Sequence, residues 1–476
     1  MKSDISRPTI NLPRNNSRLI FQQGRPPLEA DFNEQSEILL QLIRTYAKDI
    51  IGEHGAAGAE AFKITPVRGT AGTGPVTDLN IGAGHYYVDG LLCENASKTA
   101  TLKTPPFPAS AEDLPLEDTI ATPVLVYLDV WEHHRTWIDD GVLRDPALGG
   151  SDTATRSRIV WQVRLLKDDK MTAAAKANSL DWKHALETRA KNRGQLGVRM
   201  NAGGGGSGDC EVHAEARYRG VENQLYRVEI HRPGPALPAN ADPHDPKDKD
   251  GKIFAGQLAD SATFKWSREN GSVAAKWLPP DNCDLPGGGV LRIEGPRDRA
   301  HGFSVGDWVE VTDETRELSA QPGVFARLAR VEGNALTLEP GGGALPDWKT
   351  CKNPKVRRWD QQETGSELFD TGTIVLREKQ DVKGVGEPVW FALENGIEIQ
   401  FSGDADTTYR TGDYWLIPVR VATGDLLWPW KDPSPDGAAP LAVQPPHGIE
   451  HHYAPLAIIG AAGDTDLRPV FEPIAK

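Results

Sequence analysis

Cysteine is scarce in this chain. Four residues, Cys93, Cys210, Cys283 and Cys351, are scattered over 476 positions with no Cys-x-x-Cys pair. That is too sparse for a disulfide framework or a zinc knuckle, so they read as reduced, mostly buried thiols. Basic runs are missing as well. The 53 Lys and Arg face 67 Asp and Glu, a formal charge of −14, and the electrostatic footprint that a phosphate backbone demands is not there. Nucleic acid is therefore excluded as a partner. The apolar runs stop far short of the roughly 18 residues of a membrane span, which excludes direct membrane insertion. The opening, MKSDISRPTINLPRNNSR, has charges but no apolar h-region, so a chain made in the cytoplasm without a signal peptide is expected.

Catalytic signatures are equally thin. No GxSxG, HExxH, GxxxxGK(S/T) or GxGxxG-then-helix pattern occurs. The run Gly203–Gly206 lacks the strand before and helix after that make a phosphate cradle. Paired carboxylates for glycoside hydrolysis are a spatial feature, and no pair stands out in the sequence. No catalytic residue, cofactor or metal is assigned, and the chain is not read as an enzyme.

What is present is punctuation. Gly 48 and Pro 36 exceed average usage of about 7% and 5%, while hydrophobic residues at 38% and charged residues at 25% are ordinary globular values. Many short strands and turns are expected, in about two to four domains. The fold class read from this pattern is mainly β: several small β-sandwich or barrel-like domains in series, preceded by an N-terminal arm and an amphipathic helix. The bounds are an arm and helix over 1–55, then a first β domain over 56–200 with an inserted helix at about 171–193. A sandwich part over 201–287 follows the glycine-rich joint at 201–209. A small barrel-like domain spans 288–350 and a C-terminal β domain 351–476. VLVYLDVW (124–131) is nearly continuous β-former and reads as a buried strand, with RIVWQVRLL (158–166) as its partner. The likeness of Val305-Gly306-Asp307-Trp308 to Thr411-Gly412-Asp413-Tyr414 is explained by one shared turn type.

In the first segment Asp31 is placed to cap a helix, with Glu34 three residues on. Phe32, Leu39, Leu42, Ile43, Tyr46 and Ile50 then recur at helical spacing until Gly52 and Gly55. The stripe packs on the protein's own sheet, or it forms a seam between subunits. A lone amphipathic helix ahead of a β-rich body has little core of its own to join.

Other candidates are weaker. HDPKDKDGK (244–252) crowds oxygen ligands, but in the EF-hand frame Pro246 and Gln257 take positions one and twelve, so a solvated loop is favoured. The pairs His133-His134 and His451-His452 lie in strand-like context, so each offers one ligand at most, beside Asp129, Glu132 or Glu450. Trp131, Trp161, Trp266, Trp308, Trp390 and Trp415 lie in strand-like runs and read as core or sheet-face residues. Trp428 and Trp430, flanking Pro429 after Gly424-Asp425, form a loop that either faces a ligand or packs its own base.

The residues Arg18-Leu-Ile-Phe-Gln-Gln-Gly-Arg25, followed by Leu28-Glu-Ala-Asp-Phe-Asn-Glu-Gln35, resemble the QQGR-x-x-L-x-AD-(W/F)-NE opening of a family of uncharacterised-domain proteins. That family is encoded with phage tails and extracellular contractile injection systems. Further similar blocks are VYLDVWEHH (126–134), ALGGSDTATRSRIVWQV (147–163), YRVEIH (226–231), ATFKWSRENGSV (262–273), GDWVEV (306–311), LENGIEIQF (393–401), GDYWLIPVR (412–420) and HHYAPLA (451–457). Phe32 stands where Trp is common, and Pro26-Pro27 replaces the usual apolar–polar pair. The resemblance implies a structural component of a phage tail-like particle, at the baseplate or as a fibre-like appendage, and brings no catalytic residues. The expected partners are baseplate or tail proteins and further copies of the chain. Docking contacts are expected at Arg25, Asn33 and Glu34, and a trimeric seam along Phe32, Leu39 and Tyr46. On this reading residues 1–55 are removable without unfolding the β body. The alternative is a cell-surface glycan-binding or glycan-degrading protein. A third is an anchor to a host membrane or wall, which without a span must work through a partner.

Overall fold

The computed structural model describes residues 1–8, 16–68, 76–107, 123–148, 151–177, 181–191, 193–201, 217–241, 252–279, 289–294, 302–340, 343–363, 368–382, 385–429, 442–460 and 463–472. Three β units are stacked around one another. In the first, His54–Ala57, Gly84–Val88 and Leu91–Asn95 form a sheet edged by Val470–Phe471. It faces a second sheet of Arg156–Leu166, Val124–Arg135, His452–Ile459 and Thr465–Asp466. Tyr86, Val88 and Cys93 from one sheet meet Val126, Leu128 and Trp161 from the other. The run Val124–Trp131 is buried throughout, because both its faces are covered. Leu125 and Tyr127 turn the other way, onto Ala175 and Trp182 of the helices Asp169–Lys176 and Asp181–Lys191. The single helix expected near 171–193 is thus two. The strand pairing expected between Val124–Arg135 and Arg156–Leu166 is observed, from Leu125 opposite Leu166 to Arg135 opposite Arg156.

The second unit is a sandwich. A six-stranded sheet, ordered Phe369–Asp370, Thr373–Val375, Thr263–Ser267, Gln224–Arg232, Tyr414–Arg420 and Asp425–Leu426, covers a three-stranded sheet of Gln195–Met200, Ile397–Ser402 and Phe391–Ala392. Aromatic rings fill the space between them, with Phe401 4.9 Å from Phe264 and 5.7 Å from Trp415. The third unit is a closed six-stranded barrel, in the order Ala274–Trp277, Val290–Glu294, Ala335–Leu338, Val324–Glu332, Trp308–Thr312 and Lys355–Trp359. Closure removes every free edge of that sheet.

The mainly β class, with sandwich and barrel units behind an arm and helix, is what the structure displays. The bounds change. The barrel runs from Ala274 to Trp359, beyond 288–350 on both sides, and lies between two neighbouring strands of the sandwich. The sandwich in turn lies between Arg156–Leu166 and His452–Ile459, which complete the first unit. The cuts at 200, 287 and 350 therefore divide single units. Composition marks loops, whereas strand partners here come from segments hundreds of residues apart. The glycine-rich joint and the charged loop fall mostly within 202–216 and 242–251, outside the described residues. Cys93 is buried and Cys351 half-buried, both free thiols, while Cys210 and Cys283 also lie outside the described residues.

The helix that opens the chain, α1 (Glu29–Ile51), rests on the hairpin joining Gly84–Val88 to Leu91–Asn95. The hairpin turns through Asp89 and Gly90, at φ +47° and +84°, the paired positive values of a type I′ turn. A Cβ at residue 90 would stand 2.2 Å from the Arg44 carbonyl oxygen of α1, so glycine is required both by the turn and by the helix above it. Gly90→Ala is expected to cost at least about 2 kcal/mol. The lowered denaturation midpoint should appear together with faster proteolysis of α1.

Candidate functional site

The helix α1 is inverted relative to an ordinary surface helix. Polar contacts hold its inner side. Arg44 pairs with Glu132 and Lys48 with Asp89, Glu29 accepts from the Ser6 amide, and Arg7 reaches Asp31 at 3.4 Å. Only Ala30 and Ile38 of the helix are buried. Its apolar side is uncovered: Phe32, Leu39, Ile43 and Tyr46 are each at least half exposed, and Ile50 is 80% exposed. Asp31 is the third helical residue and not the cap, because Leu28 occupies the capping position and donates its amide to the Asp31 carboxylate at 3.0 Å. The preceding segment folds back. Gln22–Arg25 makes a turn with Gly24 at φ +76°, Phe21 packs on Phe32 at 5.4 Å, and the Leu19 amide donates to Gln35. Of the expected docking residues, Arg25 and Asn33 are exposed and Glu34 half-buried. Phe32, Leu39 and Tyr46 share one outward face.

The stripe keeps a stricter spacing than its helical period requires. Residues 32, 36, 39, 43, 46 and 50 are separated by four, three, four, three and four, a 3.5-residue repeat in which Ser36 is the one polar member. Such a repeat is the pattern of a helix–helix seam. The flanking positions, Asn33, Gln35, Leu40, Leu42, Ala47 and Asp49, carry a single charge.

The second feature lies inside. The three units meet around a cavity of about 290 Å³. Strand alternation builds its walls: in Gln224–Arg232 the even residues Tyr226, Val228 and Ile230 enter the sandwich core, while Arg227 and Glu229 face the junction and are 3% and 2% exposed. Lys265, Glu310, Lys355 and Arg357 are presented in the same way by neighbouring strands. These charges are paired. Lys265 Nζ donates to both oxygens of Glu310 at 2.7 Å and lies 3.3 Å from Glu229. Arg227 Nε donates to Glu229 at 2.6 Å, and Lys355 donates to Asp139 at 2.8 Å and Glu317 at 2.9 Å. Burial alone would raise the Glu229 and Glu310 carboxyls; the adjoining cations, Lys2, Arg227 and Lys265 for Glu229 and Lys265 for Glu310, hold both well below the usual carboxylate range.

The arm closes this junction. Lys2 Nζ sits 3.0 Å from Glu229, and burial lowers its ammonium to about 8 against that carboxylate's pull. Asn270, in a left-handed turn, donates to the carbonyls of Met1 and Ser3 at 3.1 and 2.8 Å. Ser3 Oγ lies 3.0 Å from His134 Nε2. The arm thus contributes to the junction: without it Glu229 has one cation fewer and Asn270 lacks its two carbonyl acceptors, so a β body folded without residues 1–55 would carry a stability cost.

The histidine pairs serve the same packing. His451 Nδ1 lies 2.6 Å from Asp129 and His452 Nδ1 3.1 Å from Asp89. Among the described residues no group of three or more His, Cys, Asp or Glu is arranged to hold a metal ion. Trp428 is not offered to a ligand: it is 4% exposed in the sandwich core and donates its indole N–H to the Ala442 carbonyl at 2.6 Å. Trp430 lies outside the described residues. The junction charges were missed from sequence, because alternating charged and apolar residues look the same whether the charged face meets water or another unit. The signal available was that the blocks YRVEIH, ATFKWSRENGSV and GDWVEV carry Glu229, Lys265 and Glu310.

A family model described as "Family of unknown function (DUF6519)" matches residues 1–197 and 182–471. No curated protein and no solved structure gives a significant match.

Two outcomes follow for the junction. Deleting residues 1–7 should lower stability by about 1–3 kcal/mol, since Glu229 loses one of three cations and the buried Asn270 amide both its carbonyl acceptors; an unchanged urea midpoint would contradict it. Burial also holds the cavity histidines below their usual range, His133 and His447 to about 4 and His134 well below 6.5. The unfolded chain takes up protons from about pH 6.5 downward while the folded one does not. Stability is full above that pH and falls toward pH 4 by about 1.4 kcal/mol per pH unit for each histidine. Midpoints recorded from pH 7.5 to 4.5 test this, and a flat profile would refute it.

Proposed function

The chain belongs to the DUF6519 family of unknown function, and from that premise we propose that it is a structural component of a phage tail-like contractile injection particle. It is placed at the baseplate or as a fibre-like appendage and enters the particle as a homotrimer joined through α1. The observation that carries this reading is the uncovered face of α1. A 23-residue helix spans about 35 Å, and a row of exposed apolar side chains along it, interrupted by Ser36, is the kind of surface that marks an interaction site.

The occupant argued for is α1 of other copies. The 3.5-residue repeat is self-complementary, and on a chain of net charge −14 the seam and its flanks carry almost no charge to repel a second copy. Leu40, Leu42 and Ala47 beside the seam widen it beyond a two-stranded contact, which favours three helices over two. Ion pairs with the β body fix the orientation of the stripe, so each β body projects from the bundle at a set angle. The resemblance of the opening segment to tail-associated proteins supports the particle reading. Burial of Trp428 leaves only Trp430 of that loop pair to favour a glycan site.

Light scattering on the full chain and on the double variant Leu39→Asp, Ile43→Asp tests the seam. The expected masses are a trimer for the first and a monomer for the second, with far-UV dichroism unchanged because both side chains are exposed. A monomeric wild-type protein would overturn the seam, and a dimer would overturn the threefold count. For the particle, the wild-type chain should sediment with tail-like particles from a producing cell and the double variant should not. Particles that lack the chain altogether would sink the structural role.

A further inference from the structure

The cavity where the three units meet has a donor surplus. Three carboxylates on its wall, Glu310, Glu229 and Asp139, have both oxygens engaged. Glu310 accepts from Lys265 through both oxygens, from the Trp359 indole at 2.9 Å and from the Gly323 amide at 3.2 Å. Glu229 is met by Lys2, Lys265 and Arg227. Asp139 accepts from Lys355 and from the Thr136 amide. The donors are not saturated. Arg357 is 3% exposed and gives Nη1 to the Gly271 carbonyl, yet its Nε has no partner, and Glu317 stands 4.0 Å from Nη2. His133 Nε2 is buried with no hydrogen bond, 3.8 Å from Glu317. Lys2 spends one of its three N–H donors on Glu229.

Unpartnered buried donors are costly unless a ligand supplies acceptors. The void they share is at the small end of ligand sites, and it reaches the surface beside Met1 and Glu450, which are both exposed. We propose that this junction binds a small anion bearing phosphate or carboxylate oxygens, held by Arg357, His133 and Lys2. The anion ties together the barrel strand Lys355–Trp359, the first-unit strand Val124–Arg135 and the N-terminal arm, and so stiffens the contact between units that no continuous sheet spans. The site is independent of the α1 seam.

Isothermal titration of the full-length protein with inorganic phosphate, and separately with citrate, at constant ionic strength tests the site. The expected result is one saturable site per chain for at least one of the two anions. Phosphate alone would identify a phosphoryl ligand and citrate alone a carboxylate. Affinity should fall at least tenfold in Arg357→Gln and in His133→Ala. Should Arg357→Gln fail to fold, His133→Ala carries the test, since it removes no hydrogen-bonded partner of a buried charge; its thermal midpoint shows that it is folded. No saturable heat with either anion, or wild-type affinity in a folded His133→Ala protein, would overturn the site.

Discussion

Lys265 lies between Glu229 and Glu310, and that arrangement constrains much of the architecture. Glu229 and Lys265 belong to the sandwich and Glu310 to the barrel, all three nearly inaccessible to water. A charge so placed is tolerated only where its partners arrive with good geometry. The sandwich and the barrel therefore have one relative position that satisfies the network, and Trp359, whose indole donates to Glu310 while its ring lies 4.5 Å from the Lys265 ammonium, fixes it further. Apolar contact between the units would be stronger per residue but would permit sliding. Paired charges give the junction its register.

The same requirement explains the path of the chain. The barrel is set between neighbouring strands of the sandwich, and the sandwich within the first unit, so each insertion is joined to its host unit at both ends, through two crossings. Such crossings limit how far a unit can swing. The arm adds a third constraint from outside the sheets: its carbonyls satisfy Asn270, its ammonium satisfies Glu229, and its far end meets Glu29 and Asp31 at the start of α1. The orientation of α1 is thereby linked to the buried network through the first seven residues.

Much of the local structure could be read in the sequence. The β-former run at 124–131 and its partner at 158–166, the Asp89-Gly90 turn, the helix ending at Gly52 and the shared Gly306 and Gly412 turns, at φ +92° and +87°, follow from side-chain chemistry that acts within a few residues. What lay hidden depends on partners far away in the chain. Glu229 and Lys265 alternate with apolar neighbours as solvated residues do, and nothing local distinguishes water from a facing unit. Trp428 beside Pro429 reads either as facing a ligand or as packing the base of its loop, because its partner, the Ala442 carbonyl, comes from beyond the loop. The nested order of the units was hidden for the same reason, since Gly-rich and Pro-rich stretches mark where the chain turns and not where it goes.

The distribution of polarity sets the protein apart from an ordinary globular monomer. Charges are collected inside, where three units meet, and a long apolar stripe is left outside on α1, whose polar side is turned inward onto Glu132 and Asp89. Turning the helix over would bury the stripe on its own sheet but would strand Arg44 and Lys48 away from those carboxylates. The ion pairs therefore act against self-burial of the stripe, and the apolar free energy that this leaves unspent is available for association. In a chain of net charge −14 the stripe and its flanks are also a stretch with almost no charge. The pairing of Arg44 and Lys48 with the β body and the exposure of the apolar stripe are thus two consequences of one orientation of α1.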